Sequence, residues 1–401
     1  MSDEHIADLM RLLEINGPPS EEAQVADWIR NALVSLGVNP EDIHTDQAQE
    51  QSEYGGSTGN LIVRLEGQGD GQHLMFSTHM DTVPDAVGCI PKLDRENHRI
   101  VNEKPGTALG GDNRTGCAAL LHLARELLSL DGKHPPITLV FFIQEEVGLV
   151  GARGLDLSLL GNPAMCYNLD GGAPDTLVTS VIGTERFTID VNGIASHAGG
   201  RPADGVSAAI IAGHALAELD SGGWNGHIQK PEGEGSANVG TVNGGQGTNV
   251  VMPKMHILAE ARSHSQEFRR NIIEEWKECF NKAAKIVTNN QNEIGSVTFG
   301  SGPTYESFAL SDTDPVVQTT LAAARECGFS PQTVTNNGGM DANWIVAHGI
   351  PAITFGAGQR LVHTSDEWID LKDFENACRL VTTIVRQSVN LDDIRGTNMQ
   401  V

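Results

Sequence analysis

The spacing of apolar residues predicts helices near the start of the chain and a set of buried strands after them. Apolar side chains recur at helical intervals over His5–Leu13 and Glu21–Leu36, with Ser20 placed to cap the second helix and Gly37 to end it. A third helix is predicted over Thr115–Ser129. Runs rich in Val, Ile, Leu and Phe, without the alternation of half-exposed strands, predict strands covered on both faces: Asn60–Leu65, His73–Ser77, Ile137–Ile143 and Ala164–Leu169. Strands that alternate with helices predict a mostly parallel α/β sheet.

The pattern changes after Asp170 and returns near Pro315. In between, the predicted order is βαββαβ: strand Glu185–Asn192, helix Gly205–Leu219, strands Ala237–Val242 and Met255–Ala261, helix Glu267–Val287 and strand Ser296–Phe299. The later part again predicts α/β elements, namely helix Val316–Glu326, strand Ala352–Phe355 and helix Asp373–Val389. We therefore predict an α/β domain of residues 1–182 and 306–401, interrupted by a ferredoxin-like domain of residues 183–305.

Composition and charge exclude several classes of protein. The 401 residues are 39% hydrophobic and 20% charged, which is typical of a globular chain with two domains. No apolar run approaches the roughly 18 residues of a membrane-spanning helix, and the net charge of −25 argues against nucleic acid as a partner. Residues 1–17 include four acids and lack the basic start of a signal peptide, and none of the six cysteines forms a C-x-x-C pair. We expect a soluble, cytoplasmic protein with reduced thiols.

Polar motifs follow the predicted strands at their carboxyl ends, where open sheets of this kind place ligands. Each residue also has an ordinary interpretation: a His at a strand end forms a plain hydrogen bond, paired glutamates form a solvated edge, and an Asp caps a turn. The glutamates, however, follow the apolar run 140–143 after a single residue, and burying them there without a cation or a partner is costly. The residues concerned are His79 and Asp81, Asp112, Glu145 and Glu146, Asp170 and, after the late strand, His363.

Five of these side chains form a ligand set that suits Zn²⁺. Two metals need a bridging ligand, and Asp112, which lies between the outer sets, is the natural choice. Asp81 can accept the second imidazole N–H of His79 and fix its tautomer. Glu145 is the remaining carboxylate and is predicted to be the general base for a metal-bound water. Cobalt and manganese fit the same ligands, which are His79, Asp112, Glu146, Asp170 and His363.

These motifs resemble those of the di-zinc peptidases that include peptidase T, carboxypeptidase G and the aminoacylases. The similarity lies in the run Ser77–Pro84, in Gly111-Asp112, in Glu145-Glu146 and in the late His363, and it spans nearly the whole chain. The resemblance implies two zinc ions, with Glu145 activating a water that bridges them. One zinc would be bound by His79, Asp112 and Asp170, and the other by Asp112, Glu146 and His363. The resemblance also implies that the inserted domain is a lid, which often makes a homodimer.

Two features resemble the peptidase T branch, whose members are tripeptide aminopeptidases. Aminopeptidases of this branch have Asp at the position of Asp170, where carboxypeptidases and deacylases usually have Glu. The run Glu260–His264 also resembles the branch, in which an Arg at the position of Arg262 holds the terminal carboxylate of the substrate. Asn113 is a departure, because many relatives carry a second Asp there. It removes a charge near the metals but leaves every ligand position filled.

The inserted domain offers further candidates through the same resemblance. It implies that His197 lies over the metals, often from the partner subunit, where it binds the oxyanion, and that Asn249 contacts the substrate. The ordinary interpretations stay open: an exposed loop residue for His197, a turn residue for Asn249, and an ion pair with a surface acid for Arg262. Asp341, in a loop that resembles one near the family's site, is interpreted as structural.

We expect hydrolysis of short peptides, most directly by a tripeptide aminopeptidase in which the substrate's amine approaches Asp170. The alternatives are a carboxypeptidase or N-acyl-amino-acid deacylase on the same scaffold, and a metal-binding protein without catalysis. Glu145 argues against the last of these, since binding alone needs no base. The expected partners are short peptides and a second copy of the chain, bound through the lid, with no nucleic acid and no membrane.

Overall fold

The computed structural model describes residues 4–130 and 132–388, and these residues form two compact units. One unit contains the chain up to Ser180, Ala309–Asn336 and the chain from Met340, while the other contains Val181–Phe308 and Asn337–Gly339. The main boundaries of the second unit fall two and three residues outside those predicted for the inserted domain. The short return at Asn337–Gly339 has no signature in the apolar pattern. Within the described ranges, no helix combines the length and apolar character needed to cross a bilayer.

The helices and strands follow one another in three parts of the chain. The first part contains α1 (Glu4–Leu13), α2 (Ala23–Leu36), β1 (Ile43–Thr45), β2 (Leu61–Leu65), β3 (Leu74–His79), β4 (Pro91–Asp94), β5 (Arg99–Asn102), α3 (Gly111–Ser129), β6 (Ile137–Phe142), α4 (Val150–Arg153), β7 (Met165–Leu169) and β8 (Thr176–Val181). The second contains β9 (Gly183–Asn192), α5 (Ala208–Ser221), β10 (Gly226–Lys230), β11 (Gly233–Gly244), β12 (Lys254–Ser263), α6 (Gln266–Ile286) and β13 (Ser296–Tyr305). The third contains β14 (Phe308–Ala309), α7 (Pro315–Glu326), β15 (Gln332–Asn336), α8 (Ala342–Ala347), β16 (Ala352–Phe355), β17 (Gln359–Arg360), β18 (Trp368–Asp370) and α9 (Leu371–Ser388). The last residue of the predicted final helix, Val389, lies outside the described residues.

A nine-stranded sheet forms the core of the first unit. Its strands lie in the order β1-β2-β6-β3-β7-β16-β8-β14, with β15 paired to β8. The central strands β6, β3, β7 and β16 are parallel, while β2 and β8 join them antiparallel. Every residue of the four central strands is buried, which explains why their sequences are continuous apolar runs. The predicted α/β class is confirmed.

A small antiparallel sheet of the first unit was not predicted from the sequence. Its strands lie in the order β17-β18-β5-β4, and they pack near α3 and α9. Two of the strands have only two or three residues, too few for an apolar pattern to be recognised. This sheet matters for the site because β17 carries Gln359 and the loop from β17 to β18 carries His363.

The second unit is a five-stranded antiparallel sheet with α5 and α6 packed on its apolar face. Its strands lie in the order β10-β11-β12-β9-β13, and Ile189, Ile257 and Trp276 lie in the shared core. The predicted βαββαβ order is present with one addition, the edge strand β10. Only Ile228 of its five residues is buried, so this strand has no apolar alternation that would predict it.

The predicted cap of α2 by Ser20 is wrong. The helix begins at Ala23, and Ser20 has a φ of 78° with its hydroxyl donating to the backbone oxygen of Tyr54. Gly37 ends the helix as predicted, with a φ of 108° and its N–H donating to the last turn of carbonyl oxygens. Glu22, the residue directly before the helix, is fully buried and contacts the site described next.

Candidate metal centre

The central strands bring the predicted ligands to one edge of the large sheet. His79 is the last residue of β3, Glu146 follows β6 by four residues, and Asp170 directly follows β7. Asp112 lies at the start of α3, after Gly110 in the left-handed conformation (φ 78°). His363 lies in the loop after β17, with a φ of 62°. Because β3, β6 and β7 are parallel, their carboxyl ends meet at this edge.

A chain of short contacts joins four of the five predicted ligands. His79 Nε2 is 3.1 Å from Asp112 Oδ1, and His363 Nε2 is 3.4 Å from Asp112 Oδ2. His363 Nε2 is also 3.0 Å from Glu146 Oε2. The donor atoms of His79, Asp112 and Glu146 all lie within 4.8 Å of one another, close enough to share a metal ion. Asp112 therefore presents one oxygen to each histidine, which is the arrangement a bridging ligand needs.

Acidic side chains are concentrated around these contacts. Desolvation and the charge of Asp112 raise the pKa of Asp170 to about 7. Desolvation also raises the pKa of Glu145 well above its ordinary value, against the charge of His79, and the charge of Asp341 adds to the rise. Asp112 differs, because hydrogen bonds from His363 and His79 outweigh its desolvation and lower its pKa. So many carboxylates beside two imidazoles form a donor set that fits divalent cations.

Asp81 contacts both His79 and the glutamate pair. His79 Nδ1 is 3.3 Å from Asp81 Oδ1 and 3.1 Å from the Asp81 backbone oxygen. The same carboxylate accepts the backbone N–H groups of Glu145 (3.0 Å) and Glu146 (3.1 Å). One fully buried side chain thus orients a predicted ligand and holds the backbone of the turn that carries the predicted base and another ligand.

Glu22 extends this arrangement by one residue and was not singled out from the sequence. Its Oε1 accepts the backbone N–H groups of Gln144 (3.0 Å) and Ser20 (3.1 Å). The other oxygen, Oε2, has no hydrogen-bond partner among the described residues. Desolvation and the charge of Asp81 raise the pKa of Glu22 to about 7. The acid lies in a helix-start pattern where it is ordinarily a solvated residue, so the sequence offers no signal for its burial.

We expect Glu22→Gln to change how the stability of the protein depends on pH. An acid whose pKa is raised by folding, here from 4.5 to about 7, stabilises the fold most below pH 4.5, and this contribution is lost as pH rises through 7. The wild type should therefore lose about 3 kcal/mol relative to Glu22→Gln across this range. Denaturant unfolding of both proteins at a series of pH values measures the difference. A difference that does not vary with pH would show that Glu22 stays ionised in the fold.

Glu367 is a second buried carboxylate that the sequence did not reveal. It is 3% exposed, and its two oxygens accept the backbone N–H groups of Leu109 (2.8 Å), Gly110 (2.7 Å) and Asp112 (3.0 Å). Because Glu367 lies four residues after His363, it ties the loop of one predicted ligand to the backbone of another. No periodic pattern connects residues so distant in the chain, and only the short acidic run before β18 draws attention to it.

Two candidate substrate-binding residues of the second unit, His197 and Asn249, form hydrogen bonds within that unit. The Nδ1 atom of His197 accepts the backbone N–H groups of Gly199 (3.1 Å) and Gly200 (2.9 Å), so a neutral ring carries its proton on Nε2. Asn249 lies next to this loop, because its backbone oxygen accepts the N–H of Ala198.

Arg262 forms an ion pair inside the second unit. Its Nε is 2.8 Å from Glu260 Oε1 and its Nη2 is 3.2 Å from Glu260 Oε2, while Nη1 donates weakly to the backbone oxygen of Asn337 (3.4 Å). The ordinary interpretation of this arginine, a partner to a nearby acid, therefore describes what the side chain does in the structure. A substrate carboxylate would have to be bound beside Glu260.

Comparisons with known proteins point to one family. The family model described as Peptidase family M20/M25/M40 matches residues 75–387. The uncharacterized protein YqjE of Bacillus subtilis (strain 168) is 28% identical over 384 residues, which is 96% of this chain and 98% of that one. The crystal structure of aminopeptidase PepT from Bacillus cereus ATCC 10987 has a TM-score of 0.83 at 29% identity, covering 97% of this chain and 99% of that one.

A second solved structure matches the same share of the chain. The crystal structure of a tripeptidase from Staphylococcus aureus subsp. aureus Mu50 has a TM-score of 0.85 at 25% identity, again covering 97% of this chain and 99% of that one. The region matched by the family model includes all five predicted ligands and Glu145. The chain is therefore a hydrolase that belongs to the peptidase family M20/M25/M40.

Proposed function

We propose that the protein is a zinc-dependent aminopeptidase that removes the first residue of short peptides, above all tripeptides. The observation that carries the proposal is the Asp112 carboxylate, with one oxygen facing His79 and the other facing His363. The charge of the predicted base Glu145 acts on the same His79. The similarity to proteins named aminopeptidase PepT and tripeptidase supports the choice of substrate.

Five residues would hold two metal ions in this proposal. His79, Asp112 and Asp170 would bind one, and Asp112, Glu146 and His363 the other, with zinc, cobalt and manganese all compatible with the donors. When bound, such metals polarise a peptide carbonyl and lower the pKa of water. Two imidazoles and three carboxylates together form a donor set that fits this pair of cations.

Glu145 would move the protons of the reaction. It would accept a proton from the attacking water and return it to the amine that leaves when the peptide bond breaks. Desolvation raises the pKa of Glu145, and this favours a base that can hold a proton between the two steps. Asp81 contributes by fixing the backbone N–H groups of Glu145 and Glu146, so that base and ligand keep their relative positions.

The second unit would supply groups that bind the substrate. His197, with its Nε2–H available as a donor, would bind the carbonyl oxygen as it becomes negative. Arg262, oriented by Glu260, would bind the terminal carboxylate of a short peptide, and Asn249 would contact its backbone. A clamp on the terminal carboxylate limits substrate length, which is why tripeptides are favoured over long chains.

We expect His197→Ala to lower kcat by about 10²–10³-fold with a much smaller rise in KM. The imidazole would meet the oxyanion rather than the ground-state carbonyl, so its loss affects the transition state most. Steady-state kinetics with a tripeptide measure both constants. Gly200→Ala, which retains the backbone N–H that orients His197, is the control and should resemble the wild type. A rise in KM with unchanged kcat would contradict the oxyanion role.

A mixing experiment tests whether His197 acts across a homodimer. Glu145→Ala and His197→Ala proteins would each retain little activity, but each mixed dimer would contain one site with both residues intact. Restored hydrolysis would show that His197 serves the partner's site. No restoration, in subunits shown by mass to have exchanged, would place His197 in its own active site or outside any site.

The proposed activity itself is tested with matched peptides. The metal-loaded protein is given a tripeptide with a free amine, the same tripeptide N-acylated, and the same tripeptide amidated at its carboxyl end, and the products are identified by mass spectrometry. We expect release of the first residue from the free tripeptide and poor hydrolysis of the other two. Release of the last residue would indicate a carboxypeptidase, and removal of the acyl group a deacylase.

A further inference from the structure

Two buried side-chain amides, Asn113 and Gln359, connect the backbone segments that carry Asp112 and Asp170. Asn113 is fully buried and Gln359 is 2% exposed. Gln359 Nε2 donates to Asn113 Oδ1 over 2.8 Å, so the two amides are in direct contact. Neither residue is a metal ligand in the proposed function, and the sequence singled out Asn113 only as a departure from its relatives.

The pair contacts the residue on each side of both carboxylates. Beside Asp112, Gln359 Nε2 donates to the Gly111 backbone oxygen (3.3 Å), and Asn113 is itself the following residue. Beside Asp170, Asn113 Nδ2 donates to the Leu169 backbone oxygen (2.8 Å), and the Gly171 N–H donates to Gln359 Oε1 (2.9 Å). The backbone segments that carry the two acids are therefore joined through the two amides.

These contacts require amides rather than acids. Asn113 Oδ1 already accepts the Gly116 N–H and the Gln359 amide, so its Nδ2 must be the end that faces the Leu169 carbonyl. An ionised Asp at this position would place an oxygen against that carbonyl, because a carboxylate has no hydrogen to donate. Gln359 likewise needs both ends of its amide, because its oxygen accepts the Gly171 N–H and its nitrogen donates to the Gly111 backbone oxygen. The amide at position 113 thus matches its Gln359 partner.

We propose that the Asn113–Gln359 pair is a positioning device that sets the distance between Asp112 and Asp170, and through it the affinity for the metal that these two residues share. The proposal rests on the ligand assignment of the proposed function. Residues that orient metal ligands typically change metal affinity by about 10–100-fold when they are replaced.

The effect should be selective for one metal. The second site depends on the position of Asp112 relative to Glu146 and His363. Its backbone support, the three N–H groups held by Glu367, does not involve either amide. Loss of the pair should therefore weaken the metal bound with Asp170 and leave the other largely intact. General damage to the core would instead weaken both.

The test is a zinc titration of the metal-stripped protein against a competing chelator, which gives the affinity of each site without using activity. Asn113→Asp removes the donor to Leu169, and Gln359→Met removes all contacts of the second amide. The control is Asn168→Asp, the same change in an amide that is 1% exposed on β7. Its partners Ser77 and Thr354 are hydroxyls that can exchange donor and acceptor roles.

We expect the wild type and Asn168→Asp to bind two zinc ions, and both test variants to lose about 10–100-fold in affinity for one of them. Gln359→Glu keeps an oxygen that can accept the Gly171 N–H, so its zinc affinity should fall less than that of Gln359→Met. It also replaces Gln359→Met in the test if that variant does not fold. The proposal would be overturned if Asn113→Asp and Gln359→Glu both kept wild-type zinc affinity at both sites. It would also be overturned if the variants weakened both sites equally. Fewer than two zinc ions on the wild type would overturn the proposed function as well.

Discussion

Glu145→Ala is expected to lose nearly all peptide hydrolysis while keeping two metal ions per chain. Glu145 is the predicted base and not a ligand, and loss of a general base typically costs about 10²–10⁴-fold in rate. Its backbone position is fixed by Asp81 through an N–H that the substitution leaves in place, so the neighbouring Glu146 should stay where it is. Turnover of a tripeptide and metal content of the same sample are the two quantities to measure.

The adjacent glutamate provides the matched control. Glu146 contacts His363 at 3.0 Å and is expected to bind a metal, so Glu146→Ala should lose metal together with activity. The two variants differ by one position and remove the same side chain. If Glu145→Ala lost a metal equivalent and Glu146→Ala kept both, the roles of the two glutamates would have to be exchanged.

Asp112→Ala is expected to lose both metal ions and all activity. Its carboxylate presents Oδ1 to His79 and Oδ2 to His363, and a bridging ligand belongs to both sites at once. His363→Ala, by contrast, should mainly weaken the site shared with Glu146. Metal content after dialysis against a weak chelator measures both effects, with the wild type retaining two equivalents.

The comparison between these two variants decides the bridging role. Loss of a single equivalent in both would mean that Asp112 serves one metal only. Asp366→Asn is a suitable control, because Asp366 lies in the same loop as His363 and is exposed. It should retain both metals, which would show that the loop tolerates substitution.

The strand-end residues of the site were predictable because sheet geometry brings them together. Buried strands such as β3, β6 and β7 are recognisable as apolar runs, and parallel strands place their carboxyl ends at one edge. A polar residue at the end of such a run, or within a few residues after it, is therefore expected at that edge from the pattern alone. His79, Glu146 and Asp170 were found in this way.

The residues that support the site were not predictable, because each acts on backbone far away in the chain. Glu367 holds the N–H groups of Leu109 and Asp112, and Gln359 contacts Gly111 across nearly 250 positions. Such contacts leave no period or motif in the sequence. The burial of Glu22 was missed for a related reason, since an acid at the start of a helix is ordinarily solvated. Short elements such as β10 and β17 were missed because they bury too few residues to show a pattern.

The three interpretations of the protein's function predict different behaviour. An aminopeptidase needs a free amine on the substrate, a carboxypeptidase or deacylase does not, and a binding protein needs no base. Desolvation raises the pKa of Glu145, against the charge of His79, and a raised pKa favours the proton-transfer role that we propose for this residue. The location of the protein, expected to be the cytoplasm, stays a prediction.

The most direct test is a titration of the metal-stripped protein with zinc while the release of the first residue from a tripeptide is followed. We expect no hydrolysis without metal and a rise to full activity as two zinc ions bind per chain. Hydrolysis by the metal-free protein, or no release of the first residue when both ions are bound, would contradict the proposed function.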